Sequence, residues 1–215
     1  MGKIVLLMGK SSTGKDSLYK RLLEDEALEL KKVVLYTTRP MRSGEVEGIQ
    51  YFFRDEKAYK KLADDRKIIE ERCYMTAAGP WRYFTVDDNQ IDLESGSVLM
   101  IGTLESYCSI RDYFGNDNVI PILIETSDRT RIERALKREN RQEHPRYDEM
   151  CRRFLADEKD FAEEKIKEAN IADENRFSNE NKIEDTRKKI ADFIRGKIYG
   201  YQSKSGSAAS AGQKL

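Results

Sequence analysis

Short apolar runs recur along the chain and are set apart by longer charged stretches. Ile4 to Met8, Val33 to Tyr36, Val98 to Ile101 and Val119 to Ile124 are dominated by aliphatic and β-branched residues. Continuous apolar runs of this length, alternating with segments of helical period, predict an α/β fold with a parallel sheet covered on both faces by helices. Between the second and third runs the pattern changes. Gly44, Gly48 and Gly79 punctuate the aromatic pieces Tyr51-Phe52-Phe53 and Tyr83-Phe84-Thr85-Val86, which predicts an inserted lobe with antiparallel pairing over 37–92. From Asp128 the period is helical. It pauses from Glu139 to Arg146, where Pro145 falls, and resumes from Tyr147 to Glu164 as a second charged helix, so a short helical lid, mobile between the two helices, is expected at about 139–147. Ile183 to Ile198 reads as a closing amphipathic helix. The Ser/Ala/Gly-rich stretch 201–215 has no apolar face and reads as a disordered tail, leaving 1–36 and 93–200 as the core.

Composition narrows the chemistry. The 215 residues carry 39 Lys+Arg against 39 Asp+Glu, and this zero formal charge lacks the footprint of a general nucleic-acid or membrane-surface binder. His144 is the one histidine, so neither a multi-histidine metal site nor a Ser-His-Asp relay is available. Cys73, Cys108 and Cys151 match neither a CxxC redox pair nor a zinc knuckle, which suits a reducing compartment. The apolar runs fall far short of the roughly 18 residues of a membrane span, and a cytoplasmic protein is expected.

The strongest motif follows the first apolar run. Gly9-Lys10-Ser11-Ser12-Thr13-Gly14-Lys15 has the spacing GxxxxGK and opens a helical segment, Asp16 to Leu23. In that strand-turn-helix context the glycines let backbone N–H groups converge on phosphate, the helix start adds partial positive charge, and Lys15 reaches the β and γ phosphates. A nucleoside triphosphate is the expected ligand. The residue after Lys15, commonly Ser or Thr on Mg²⁺, is Asp16, with Ser17 next. A carboxylate there can orient a magnesium-bound water, because Mg²⁺ keeps most of its own waters.

The inserted lobe addresses where a phosphoryl group would go. Thr37-Thr38-Arg39-Pro40-Met41-Arg42-Ser43-Gly44-Glu45-Val46-Glu47-Gly48-Ile49-Gln50-Tyr51-Phe52-Phe53 places two arginines three apart, then a Gly-Glu pair, then a tyrosine. Guanidinium forks grip phosphate bidentately and a phenol adds a donor, so the segment reads as a site for a second, smaller phosphate ester. Here the chain resembles the guanylate kinase family, whose signature TTRxPRxGExxGxxYxF it follows except that Pro40-Met41 stands as Pro-x in place of x-Pro. The likeness runs from about Met1 to Arg195. Gly79-Pro80-Trp81-Arg82-Tyr83-Phe84-Thr85 is similar to a form found in clostridial-type bacteria.

The resemblance implies a P-loop kinase fold, ATP as donor, GMP and dGMP as acceptors, and Mg²⁺ as cofactor. It implies that Arg39, Arg42, Tyr51 and Tyr83 hold the acceptor phosphate, and that Glu70 accepts from guanine N1–H and N2–H₂, with Thr85 and Thr103 also at the base. A carboxylate suits the two-donor edge that guanine presents and adenine does not. Leu35 stands where the family often has a serine, and Thr103 where it has an aspartate, which rests base discrimination more heavily on Glu70. Trp81 and Tyr83 would serve equally well as packing of the small lobe.

Eight arginines lie between Asp128 and Arg153, interleaved with glutamates. For most of them a solvated, salt-bridged helix surface is account enough. By resemblance Arg134, Arg138 and Arg153 match lid and post-lid positions, with Arg138 and Arg153 expected at the transition state and Arg134 and Asn179 beside ATP. The acceptor oxygen is ionised at neutral pH and needs no general base, so catalysis reduces to placement and charge neutralisation. Two other readings stay open. Ribose bisphosphokinases also carry a Gly-Lys-Asp phosphate loop, and non-catalytic guanylate-kinase-like modules bind other ligands, although those usually have a broken loop.

Overall fold

The structure is a computed structural model that describes residues 1–76 and 79–200; the segment read as a tail, 201–215, lies outside them. The chain opens with β1 (Ile4–Met8) and α1 (Lys15–Leu23). It then runs through β2 (Lys31–Lys32), β3 (Tyr36–Thr37), β4 (Phe52–Phe53), α2 (Glu56–Asp64), β5 (Ile68–Thr76) and β6 (Gly79–Val86). After these come β7 (Val98–Ile101), α3 (Leu104–Phe114), β8 (Val119–Glu125), α4 (Asp128–Glu139), α5 (Tyr147–Asp160) and α6 (Glu163–Glu168), and last β9 (Arg176–Ser178) and α7 (Ile183–Tyr199). No helix among the described residues is long and apolar enough to cross a membrane.

The larger sheet has five strands in the order β2-β7-β1-β8-β9, every pair parallel. All five residues of β1 are buried because both faces are covered. Ile4, Leu6 and Met8 pack toward Tyr107 and Ile110 of α3 and toward Phe161 and Ile166. Val5 and Leu7, pointing the other way, meet Leu18 and Leu22 of α1 and Ile190 and Ile194 of α7. Each of these aliphatic side chains contributes about 1.5–3 kcal/mol by leaving water, and this buried strand fixes where its carboxyl end, and so the phosphate loop, emerges.

The smaller sheet has four strands in the order β4-β3-β6-β5. Antiparallel pairing holds for β3-β6 and β5-β6, as expected, whereas β3 and β4 run parallel. One face packs Tyr36, Phe84 and Val86 against Phe52, Tyr59 and Leu62. Since successive side chains alternate across a strand, the other face carries Glu70, Arg72 and Tyr74 of β5, paired in register with Thr85, Tyr83 and Trp81 of β6.

Three elements differ from the sequence pattern. The apolar run Val33 to Tyr36 is not one strand. Lys31–Lys32 pairs with β7, and the chain then crosses to the lobe, with the Gln90 side chain meeting the backbone of Val34 in place of a neighbouring strand. The helix expected over Tyr147 to Glu164 stops at Asp160, where Phe161 turns into the core and α6 starts afresh. The segment read as a lid is a run of turns and not a short helix. Glu139, itself buried, accepts from Gln142 Nε2 at 2.8 Å and from Arg146 N at 3.3 Å, and so ties the two ends of the loop together.

Candidate active site

The loop between β1 and α1 needs glycine at two positions for stated reasons. Gly9 has φ +153° and a Cβ there would sit 2.4 Å from the carbonyl oxygen of Ile124; Gly14 has φ +91° and a Cβ would meet Asn179 Nδ2 at 2.5 Å. Gly14 also caps α1 without a side chain, which leaves the start of the helix open to an anion. Lys15 sits in this first turn, beside the exposed Asp16 and Ser17.

Behind the loop, Thr13 O accepts from Asn179 Nδ2 at 2.7 Å and from Arg134 Nη1 at 3.3 Å, while Arg134 Nη2 donates to Asn179 O at 2.8 Å. The structure therefore places Arg134 and Asn179 as braces of the loop backbone. In front of the loop stands α5. Ser11 N donates to Asp157 Oδ2 at 2.7 Å and Lys10 Nζ pairs with Glu158 Oε2 at 2.5 Å. Both carboxylates are organised by Arg131, only 1% exposed, which reaches Asp157, Glu158, Asp128 and the carbonyl of Ser11, and lies 4.5 Å over the ring of Phe154. A desolvated guanidinium demands such a set of partners. The sequence showed Arg131 only as one of eight arginines in a charged helical stretch, and nothing in a charged pattern marks which of them turns inward.

A cavity of about 330 Å³ opens between α4 and α5, lined by Ser11 and Ser12 of the loop and by Arg138 and Arg153. Both arginines are about half exposed. Arg138 lies 3.5 Å from Glu139 and Arg153 pairs with Glu149 at 3.1 Å. Exposed pairs of this kind contribute at most about 1 kcal/mol each, so both cations can leave their partners for a phosphate.

The open face of the lobe gathers the remaining candidates. Arg39 is buried, stacks 5.6 Å from the Tyr51 ring, and is held by Glu45 through a fork of 2.9 and 2.7 Å. Glu45 also accepts from Arg42 N at 2.7 Å, leaving the Arg42 side chain exposed. Tyr51 touches Tyr83 edge-on at 5.5 Å. Glu70, also buried, accepts from Thr85 Oγ1 at 2.8 Å, and burial pushes its carboxyl above the usual range against the opposing pull of Arg72. Thr103 caps α3 in a reciprocal box with Ser106 and lines the cleft beside β5. Glu45 is the residue here whose part the sequence did not show, since its fork to Arg39 depends on a loop geometry that no spacing displays.

The Arg39 fork, joined by the Arg42 amide, holds the Glu45 carboxyl at about 2. A carboxyl depressed from its ordinary value near 4.3 stabilises the fold above that value and loses the contribution as pH falls toward 2. Trp81, the one tryptophan, lies on β6 and reports the lobe. Fluorescence-monitored thermal melts are expected to fall between about pH 4.3 and 2, and to fall less in Glu45→Gln. Equal acid sensitivity of the two proteins would remove Glu45 as the cause.

Comparison with known proteins meets this geometry at two levels. A family model described as guanylate kinase matches residues 1–78, which hold the phosphate loop, Arg39, Arg42 and Glu70. The guanylate kinase of Mycoplasma mobile is 48% identical over 69 residues, 32% of this chain and 34% of the relative, so the match spans about a third of that protein. The crystal structure of guanylate kinase from Anaplasma phagocytophilum superposes with a TM-score of 0.60 over 92% of this chain and 86% of that one, at 24% identity, a likeness of fold. The first 78 residues are thus similar in sequence to guanylate kinases, and the fold as a whole is like that of one of them.

Proposed function

We propose that this protein transfers the γ-phosphoryl group of ATP to GMP, and to dGMP, giving ADP and the nucleoside diphosphate. The observation that carries the reading is the pairing of two anion sites: a phosphate loop whose tip shares a cavity with Arg138 and Arg153, and a lobe face that groups Arg39, Arg42, Tyr51 and Tyr83 with the buried Glu70. In this reading Lys15 follows the migrating group. Arg42 grips the acceptor phosphate, while Arg39, already forked to Glu45, shapes the loop that presents it and offers its remaining surface to Tyr51 and Tyr83. Arg138 and Arg153 move onto the transferring phosphate as the lid closes and water is excluded. Arg134 and Asn179 serve ATP through the shape they give the loop, and Thr85 and Thr103 border the base. No side chain need remove a proton, because the acceptor oxygen is already ionised.

The donor set fits magnesium. Asp16 offers an exposed carboxylate in the first turn of α1 with Ser17 beside it, and no cage of three or more acidic, His or Cys residues occurs among the described residues. That suits an ion that keeps its waters and is bound mainly through substrate phosphates. When bound, Mg²⁺ neutralises charge on the β and γ oxygens. The free state of all three cysteines agrees with a reducing, cytoplasmic setting.

A coupled ADP-release assay with GMP, dGMP, AMP and ribose bisphosphate, with and without Mg²⁺, tests the proposal. Turnover is expected with GMP and dGMP only, and only with Mg²⁺. Preference for ribose bisphosphate would replace this reading, and binding of ATP and GMP without turnover would make the protein a binding module.

A further inference from the structure

The open lobe face holds one cation without an assigned part. Arg72 shares its side of β5 with Glu70 and is paired in register with Tyr83 of β6, and its side chain is only 13% exposed. Its Nε lies 3.3 Å from Glu70 Oε2 and its Nη2 lies 3.5 Å from Oε1, close but poorly aligned. As a result Arg72 Nε and Glu70 Oε2 are both buried and lack a hydrogen-bond partner among the described residues. A buried donor and a buried acceptor left unmade side by side are unfavourable unless a ligand completes them. Arg72 also lines, with Thr103 and Leu104, a cleft of about 940 Å³ between β5 and the start of α3.

A ligand that satisfies both groups must present donors and an acceptor on one edge. Guanine does so: O6 accepts, and the adjacent N1–H and N2–H₂ donate. Adenine carries a donor at position 6 and an acceptor at N1, the wrong sense at both places. Glu70 can meet only the donors of guanine, since an ionised carboxylate has no hydrogen to give. Leu35 has no polar side-chain atom to offer O6, and Thr103 is engaged in the α3 cap. The guanidinium of Arg72 is a donor beside Glu70 whose Nε makes no hydrogen bond among the described residues. We propose that Arg72 is a specificity-determining residue, donating to O6 of the acceptor base while Glu70 takes N1–H and N2–H₂. The inference rests on the assignment of GMP as acceptor and extends it to the atom that separates guanine from its analogues.

The test changes one atom at a time. GMP, 6-thioguanosine monophosphate, whose sulfur is a weak acceptor, and inosine monophosphate, which lacks the 2-amino group, are titrated calorimetrically into the full chain and assayed for turnover. The wild type is expected to prefer GMP over the 6-thio compound by about ten- to a hundredfold, the size of one well-made readout contact. In Arg72→Met that ratio falls toward one, because GMP weakens and the 6-thio compound does not, while the GMP to inosine monophosphate ratio set by Glu70 stays within about threefold. Equal weakening of GMP and the 6-thio compound would show that Arg72 merely holds Glu70 in place and would overturn the proposal, as would a wild type that binds the two alike. Should Arg72→Met not fold, the comparison of Glu70→Gln with Glu70→Gln/Arg72→Met, in which no charge is orphaned, decides on the same ratio. Binding without turnover would remove the phosphotransfer reading and leave the O6 ratio to judge Arg72; failure of GMP to bind at all would overturn both.

Discussion

Lys15→Met is expected to lower kcat on the order of a thousandfold, the loss typical when one preorganised charge contact to a transferring group is deleted. The same substitution should move Tm by less than about 2 °C, since a surface change that orphans no partner alters stability by about 0.5 kcal/mol or less. Both halves follow from where Lys15 sits. It occupies the first turn of α1, next to an exposed Asp16, and makes no ion pair among the described residues, so its removal strips charge from the loop without breaking a contact of the fold. Lys15→Arg keeps the charge but replaces a compact ammonium with a planar fork, and should recover only part of the rate. Single-turnover rates in the ADP-release assay, with a thermal scan of each variant, check the pair of expectations. A kcat within tenfold of the wild type would remove Lys15 from the reaction.

Arg131→Met has the largest expected effect on stability. Methionine keeps the apolar stem over Phe154, but Asp157, Glu158 and the carbonyl of Ser11 lose their common donor. Breaking a buried pair commonly costs 3–5 kcal/mol, and the partial exposure of these carboxylates brings the expectation to about 2–4 kcal/mol, or roughly 5–15 °C in Tm for a domain of this size. Adding Asp157→Asn and Glu158→Gln removes the orphaned charges and should restore about half of the loss, the behaviour of a coupled network. A thermal scan of the single and triple variants measures both. An Arg131→Met protein as stable as the wild type would mean that the carboxylates are adequately held by Lys10 and water.

The sequence showed most of the frame and half of the site. Four apolar runs located β1, β7, β8 and the crossing into the lobe, because fully buried strands have no polar side to confuse the pattern. The glycines of the phosphate loop were legible since only glycine tolerates their backbone angles beside Ile124 and Asn179. What stayed hidden was set by distance along the chain. The two-residue strands β2 and β3 are too short to show a period, and Val33 to Tyr36 looked like a strand because it is apolar, although Gln90 supplies its backbone partner from 56 residues away. Likewise nothing in the sequence marked Arg39, Arg72 and Arg131 as buried. Their burial depends on Glu45, Glu70, Asp157 and Glu158, and charge composition carries no record of which acid faces which base.

The three free thiols have a practical consequence. Cys73 is exposed on β5 of the lobe and Cys151 is exposed on α5 beside the lid, whereas Cys108 is partly covered, with burial pushing its thiol pKa up and slowing its reaction. Maleimide dyes or nitroxide probes will therefore attach first to the two parts whose approach is at issue. The native polypeptide thus comes equipped with a spectroscopic ruler for the closing movement proposed above.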